Sequence, residues 1–134
     1  MLGIDRAPEV VEAARREAAE VADVDFRVGD VDRLPVEDAG FDVVHAHQLL
    51  QHLSDPVAAL REMRRACRPT GVVAVRDGDD ATSAWHPADP GLDRWRDLQR
   101  RAVRDSGGEP DAGRRLLGWA QQAGFSQVIP SASA

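Results

Sequence analysis

The chain has 134 residues, enough for one domain with a sizeable core and too few for two. Its 17 Arg, with no Lys, face 23 acidic residues, and the net charge of −6 excludes bulk-charge nucleic-acid binding and a polybasic membrane surface. No apolar run approaches the ~18 residues of a membrane span, no secretory leader is legible at the start, and the lone Cys67 excludes an intramolecular disulfide framework, so a cytoplasmic protein is expected.

Met1 to Asp5 reads as the end of a buried strand. Pro8 suits the first turn of a helix, where its missing N–H costs nothing, and Val10, Val11, Ala14, Ala18 and Val21 recur at helical spacing. Glu9, Glu12, Arg15 and Arg16 form its solvated face. A short strand is expected over Val24–Val28, a loop over Gly29–Gly40, and a buried strand over Phe41–Ala46. Asp55 and Pro56 signal a helix start, and that helix is predicted to run to about Arg68 with Cys67 on its apolar side. Pro69-Thr70-Gly71 stops it, and Val72–Val75 forms the next strand. Asp77–Pro90 reads as a surface loop, Gly91–Arg104 and Asp111–Ala123 as helices capped by Gly124 at the end, and Phe125–Ile129 as a last strand. Trp95 and Trp119 are expected in the core.

This alternation predicts an α/β fold with a mostly parallel sheet, whose ligands bind beyond the carboxyl ends of the strands. Polar residues gather at those ends: Asp5, Asp30, His45, His47 and Asp77. A carboxylate at Asp5 can accept two hydrogen bonds from a ribose diol, or serve an ordinary turn. Asp30 can accept from an adenine amino group while the Val31 N–H donates to the ring, or close an Asx turn. The pairing of the two, about 25 residues apart with a helix and a strand between, carries the nucleotide reading.

Gly3-Ile4-Asp5-Arg6-Ala7-Pro8 and the helix after it resemble the second strand and helix of class I S-adenosylmethionine-dependent methyltransferases. Gly29-Asp30-Val31 with Leu34-Pro35 is similar to their adenine-contacting loop. Phe41-Asp42-Val43-Val44 through Asp55-Pro56 resembles their fourth strand and following turn, and Arg68-Pro69-Thr70-Gly71-Val72-Val73 the turn into the fifth. The likeness is nearest to the small-molecule branch that includes the ubiquinone and menaquinone enzymes. It implies a partial Rossmann-like fold in one partial domain, with residues 1–77 on the cofactor side and 78–134 on the acceptor side. It also implies S-adenosylmethionine as cofactor and methyl transfer to a small-molecule acceptor at O, C or N. Asp5 would hold the ribose, Arg6 would lie beside the adenine, Asp30 and Val31 would read its edge, and Ala46 and His47 would border the methionine.

The family's first strand with its Gly-rich loop, and its last strand, have no counterpart in these residues. That loss is expected to separate Leu2–Ile4 and Val24–Val28 from the Val43–Val75 pair, and to leave the chain weak in cofactor binding and inactive alone. Methyl transfer from a sulfonium needs alignment in a dry pocket more than covalent help. A general base is required only where the acceptor loses a proton, and His47 and His86 are the candidates. No metal site is expected: His45 and His47 point to opposite faces of a strand, and Asp77, Asp79 and Asp80 read as a solvated loop. Trp85 beside His86 can close over a substrate or anchor the loop on the core. A non-catalytic α/β binding module and a nicotinamide-dependent oxidoreductase are the alternative functions.

Overall fold

The computed structural model describes residues 1–132. β1 (Leu2–Asp5) pairs in parallel with β2 (Asp25–Val28), placing Leu2 opposite Asp25 and Asp5 opposite Val28. The crossover is α1 (Pro8–Glu17), which opens on Pro8 after Asp5 Oδ1 has accepted the Ala7 N–H at 2.8 Å. Only Val11 of α1 is buried, so the helix ends at Glu17 and leaves Val21, expected on its apolar stripe, 56% exposed. Arg15, exposed as expected, also donates from Nε to the Phe26 carbonyl at 3.0 Å and ties α1 to β2.

The second half repeats the pattern. β3 (Phe41–His47) and β4 (Cys67–Arg76) run parallel, with Val43 opposite Val72 and His47 opposite Arg76. Between them lies α2 (Pro56–Ala66), where Asp55 caps the first turn by accepting from Ala58 N at 2.9 Å. Ala59, Leu60 and Met63 of α2 pack with Leu50, Ala46 and Ala123 into the core, and Val44, Val73, Val75 and Trp119 close around it.

Cys67 is not on a helix: it opens β4 opposite Phe41, still buried, because the residues before Pro69 are turned away from helical geometry. The four residues Arg68–Gly71 then bulge out of the ladder before pairing resumes at Val72. The helix expected over Asp111–Ala123 shrinks to a 3-10 turn at Gly113–Arg115 and α4 (Leu116–Gln122), because Gly113 N–H is taken by the Gly78 carbonyl at 2.8 Å. Gly124 ends it with φ +87°.

Phe125–Ile129 forms no strand. A strand exists only by pairing, and none of the described strands lies alongside; Phe125 packs on the core and Ile129 is 93% exposed. α3 (Pro90–Asp105) falls where expected but buries no residue, and Trp95, expected in the core, is 56% exposed. None of the helices of the described residues is long and apolar enough to cross a membrane.

The two strand pairs remain separate sheets, β1 with β2 and β3 with β4. The halves are held together by loop 29–40, gripped from α2. Glu62 Oε1 accepts from Leu34 N at 2.8 Å, and Arg65 donates to the Val36 carbonyl at 2.9 Å and the Leu34 carbonyl at 3.2 Å.

Candidate functional site

The carboxyl ends of β1 and β3, with the loop after β2, open on one cavity of about 510 Å³, a size common for small-molecule sites. Asp5 ends β1 and Arg6 follows it; Asp30 and Val31 follow β2; Ala46 and His47 end β3. All six border this cavity. Chain order alone separates them by as many as 42 positions, and the parallel crossovers bring them together.

Both aspartates do the ordinary local work and keep an oxygen beyond it. Asp5 Oδ1 is occupied by Ala7 N–H, and Asp30 Oδ1 accepts from Asp32 N at 3.1 Å in an Asx turn. Each carboxylate has a second oxygen to offer a ligand donor. The loop carrying Asp30 and Val31 is stiffened by Arg65, which pairs with Glu62 and with Asp38 at 2.6 Å each. The Arg65 hydrogen bond, against the opposing effect of burial, holds the Glu62 carboxyl below its ordinary value. Sequence reasoning missed this pair, since an i,i+3 Glu–Arg couple reads like any solvated helix face.

Asp77 follows β4 and was expected in a solvated loop, yet it is half-buried. Its Oδ1 accepts from Gln51 N at 3.0 Å, while Oδ2 is buried without a hydrogen-bond partner among the described residues. Burial raises its pKa, opposed by the Gln51 and Leu50 N–H groups and the nearby His52 and His47. A raised pKa means its contribution to stability is full below the unfolded value and is lost as pH rises through the folded one. Asp77→Asn keeps the acceptor for Gln51 and removes the buried charge. It is expected to raise unfolding free energy at pH 7 by about 1 kcal/mol, a gain that vanishes near pH 4, as read from urea midpoints at the two pH values.

His47 lines the cavity, whereas His86 is exposed in the loop before α3 and is not part of its wall. Trp85 lies under Arg96 of α3, 5.3 Å from guanidinium carbon to ring centroid, rather than over the cavity. Asp79 is engaged by Arg114 at 2.7 and 2.8 Å. Among the described residues no group of three or more His, Cys, Asp or Glu is placed to hold a metal ion.

Parallel strand pairs with helical crossovers and a cavity at their carboxyl ends define a Rossmann-like α/β protein. Residues 1–75 match the family described as "Methyltransferase domain", and the chain belongs to that family. It is 35% identical over 133 residues to an uncharacterized methyltransferase of Schizosaccharomyces pombe, covering 93% of this chain and 48% of that protein. It is 41% identical over 70 residues to a ubiquinone biosynthesis O-methyltransferase of Xanthomonas oryzae, covering 51% of this chain and 29% of the enzyme. A solved S-adenosylmethionine-dependent methyltransferase of Thermotoga maritima shares the fold at TM-score 0.71 and 22% identity, over 93% of this chain and 55% of its own. The chain thus spans about half the length of the S. pombe relative, and less of the X. oryzae enzyme.

Proposed function

We propose that these residues form the adenosine-binding side of an S-adenosylmethionine-dependent methyltransferase acting on a small-molecule acceptor in the cytoplasm. The observation that carries the reading is the convergence of Asp5, Arg6, Asp30, Val31, Ala46 and His47 on one cavity in a chain of this family. Residues 1–77 make up the cofactor side and 78–134 the acceptor side.

The cavity fits the cofactor chemically. Asp5 can take a ribose diol on the oxygen that Ala7 leaves open, and Asp30, held by its Asx turn on a loop clamped by Arg65, can face an adenine amino group. When bound, the cofactor supplies an electrophilic methyl group and a neutral leaving thioether. The protein's part is to orient and exclude water: Ala46, 9% exposed, provides a close, dry wall, and His47 beside it can take a proton from a hydroxyl acceptor.

The chain is titrated with S-adenosylmethionine, following backbone amides by NMR. Shifts are expected at Asp5–Arg6, Asp30–Val31 and Ala46–His47 with Kd on the order of 1 mM, and none with NADH. Asp5→Asn keeps the acceptor for Ala7 but loses one for the ribose, and should weaken binding about tenfold with the fold unchanged. Shifts elsewhere, or a preference for NADH, would overturn the assignment; saturation at micromolar cofactor would show the site complete as it stands.

A further inference from the structure

α3 is held on one side and bare on the other. On the held side Arg100 and Arg104 reach Asp111, and Arg96 bonds the Ser83 carbonyl at 3.0 Å and lies over Trp85. On the bare side Leu92, Trp95 and Leu98 recur every third residue and stand 43%, 56% and 52% exposed, and the exposed Ala102 continues their stripe. A tryptophan between two leucines, all open to water, marks a face that binds something.

The charges beside the stripe decide what covers it. Arg96 pairs with Asp93, and Arg100 and Arg104 with Asp111, whereas Arg94 and Asp105 form no ion pair among the described residues. Those two are eleven positions apart, about three helical turns, so they stand on one edge of the stripe, ~16 Å from each other. A cation near the start and an anion near the end of the same edge complement themselves under a two-fold axis. When two such helices pack antiparallel, like edges meet, and each Arg94 comes against the partner's Asp105. The midpoint of the two charges falls between Gln99 and Arg100. With the axis there, Leu98 meets its own copy near the centre, and Trp95 lies over the partner's Ala102 and the partner's Ser106, which are small enough to take the ring.

We propose that the outer face of α3 binds a second copy of this chain, the two helices packing antiparallel through Leu92, Trp95 and Leu98 with an Arg94–Asp105 pair at each end. A contact between two helices of this length covers on the order of 1,000 Å² in all, at the small end for a specific interface, so the dimer is weak, with Kd on the order of 100 μM. No residue of α3 lines the cavity of about 510 Å³, and the inference is independent of which cofactor binds.

The test is sedimentation equilibrium of the chain from about 10 μM to about 1 mM, where a monomer–dimer equilibrium is expected. Trp95→Glu should leave a monomer over the whole range with an unchanged urea midpoint, since the side chain is exposed in the single copy. Asp105→Arg sets two arginines against each other at both ends and should weaken the dimer about tenfold. Arg94→Asp combined with Asp105→Arg restores both pairs in reversed order and should bring Kd back to within about threefold of wild type. A chain monomeric at 1 mM, association that survives Trp95→Glu, or a double exchange no better than Asp105→Arg alone overturns the proposal. A monomeric chain that floats with phosphatidylcholine vesicles, and loses this with Trp95→Glu, also overturns it by giving the face to a lipid surface.

Discussion

Asp111→Ala is expected to lower the unfolding free energy by about 3 kcal/mol at pH 7, measured by urea denaturation. Asp111 is 7% exposed and draws together three segments. It accepts from Ala81 N at 3.0 Å, from Arg100 at 2.6 Å and from Arg104 at 2.9 Å, the last two on α3. Removing it leaves Arg100 with a poorly solvated charge, while Arg104, half-exposed, recovers water, which keeps the loss from being larger. Because α3 buries no residue of its own, it is held by polar contacts such as this one and that of Arg96 with the Ser83 carbonyl, and its amides should exchange faster in the variant.

The pH dependence has a definite sign. Burial pushes the Asp111 carboxyl up, but the Arg100 hydrogen bond, the Ala81 N–H and both arginine charges outweigh it and hold the pKa below 3.8. A depressed folded pKa means the stabilisation is present above the unfolded value and is lost as pH falls through the folded one. The wild-type advantage over Asp111→Ala should therefore shrink below about pH 4. A difference that stays constant from pH 7 to pH 3 would sink the account.

Gly71→Ala is expected to cost about 3 kcal/mol, a fall in Tm of roughly 10 °C. A Cβ at Gly71 falls 2.5 Å from the Asp42 carbonyl oxygen and 2.7 Å from Cys67 Sγ. The first of these is backbone of β3 at the bulge and cannot swing aside, so β3 itself must shift. That strand delivers Ala46 and His47 to the cavity, and cofactor-induced shifts at those two amides should weaken with stability. Gly118, with open space around its Cβ, is the control position: its Ala variant should melt no lower than wild type.

The cavity-lining Asp5, Asp30 and His47 were legible because they depend on local order: a polar residue just past the end of a strand-like run. Asp55 was legible as a cap because the Pro after it marks the first turn of a helix. The elements that failed were those whose ends are set from a distance. Phe125–Ile129 has strand composition but no edge to join, and Cys67 was drawn into β4 by Phe41 across the sheet. Trp95 has the apolar periodicity of a core residue on a helix that the core does not reach.

The contacts that stiffen the site lay beyond sequence reasoning for the same physical reason. Arg65 reaches Val36 and Leu34 across 29 and 31 positions, and Asp77 reaches Gln51 across 26. Sequence by itself determined the family, the alternating α/β order and the residues that stand at the strand ends, because propensity and motif act over a few neighbours. Only the tertiary structure decided that six of them share one cavity and that Asp77 is half-buried. It alone decided where β4 begins and how loop 29–40 is gripped from α2, since pairing, burial and charge networks are properties of packed segments.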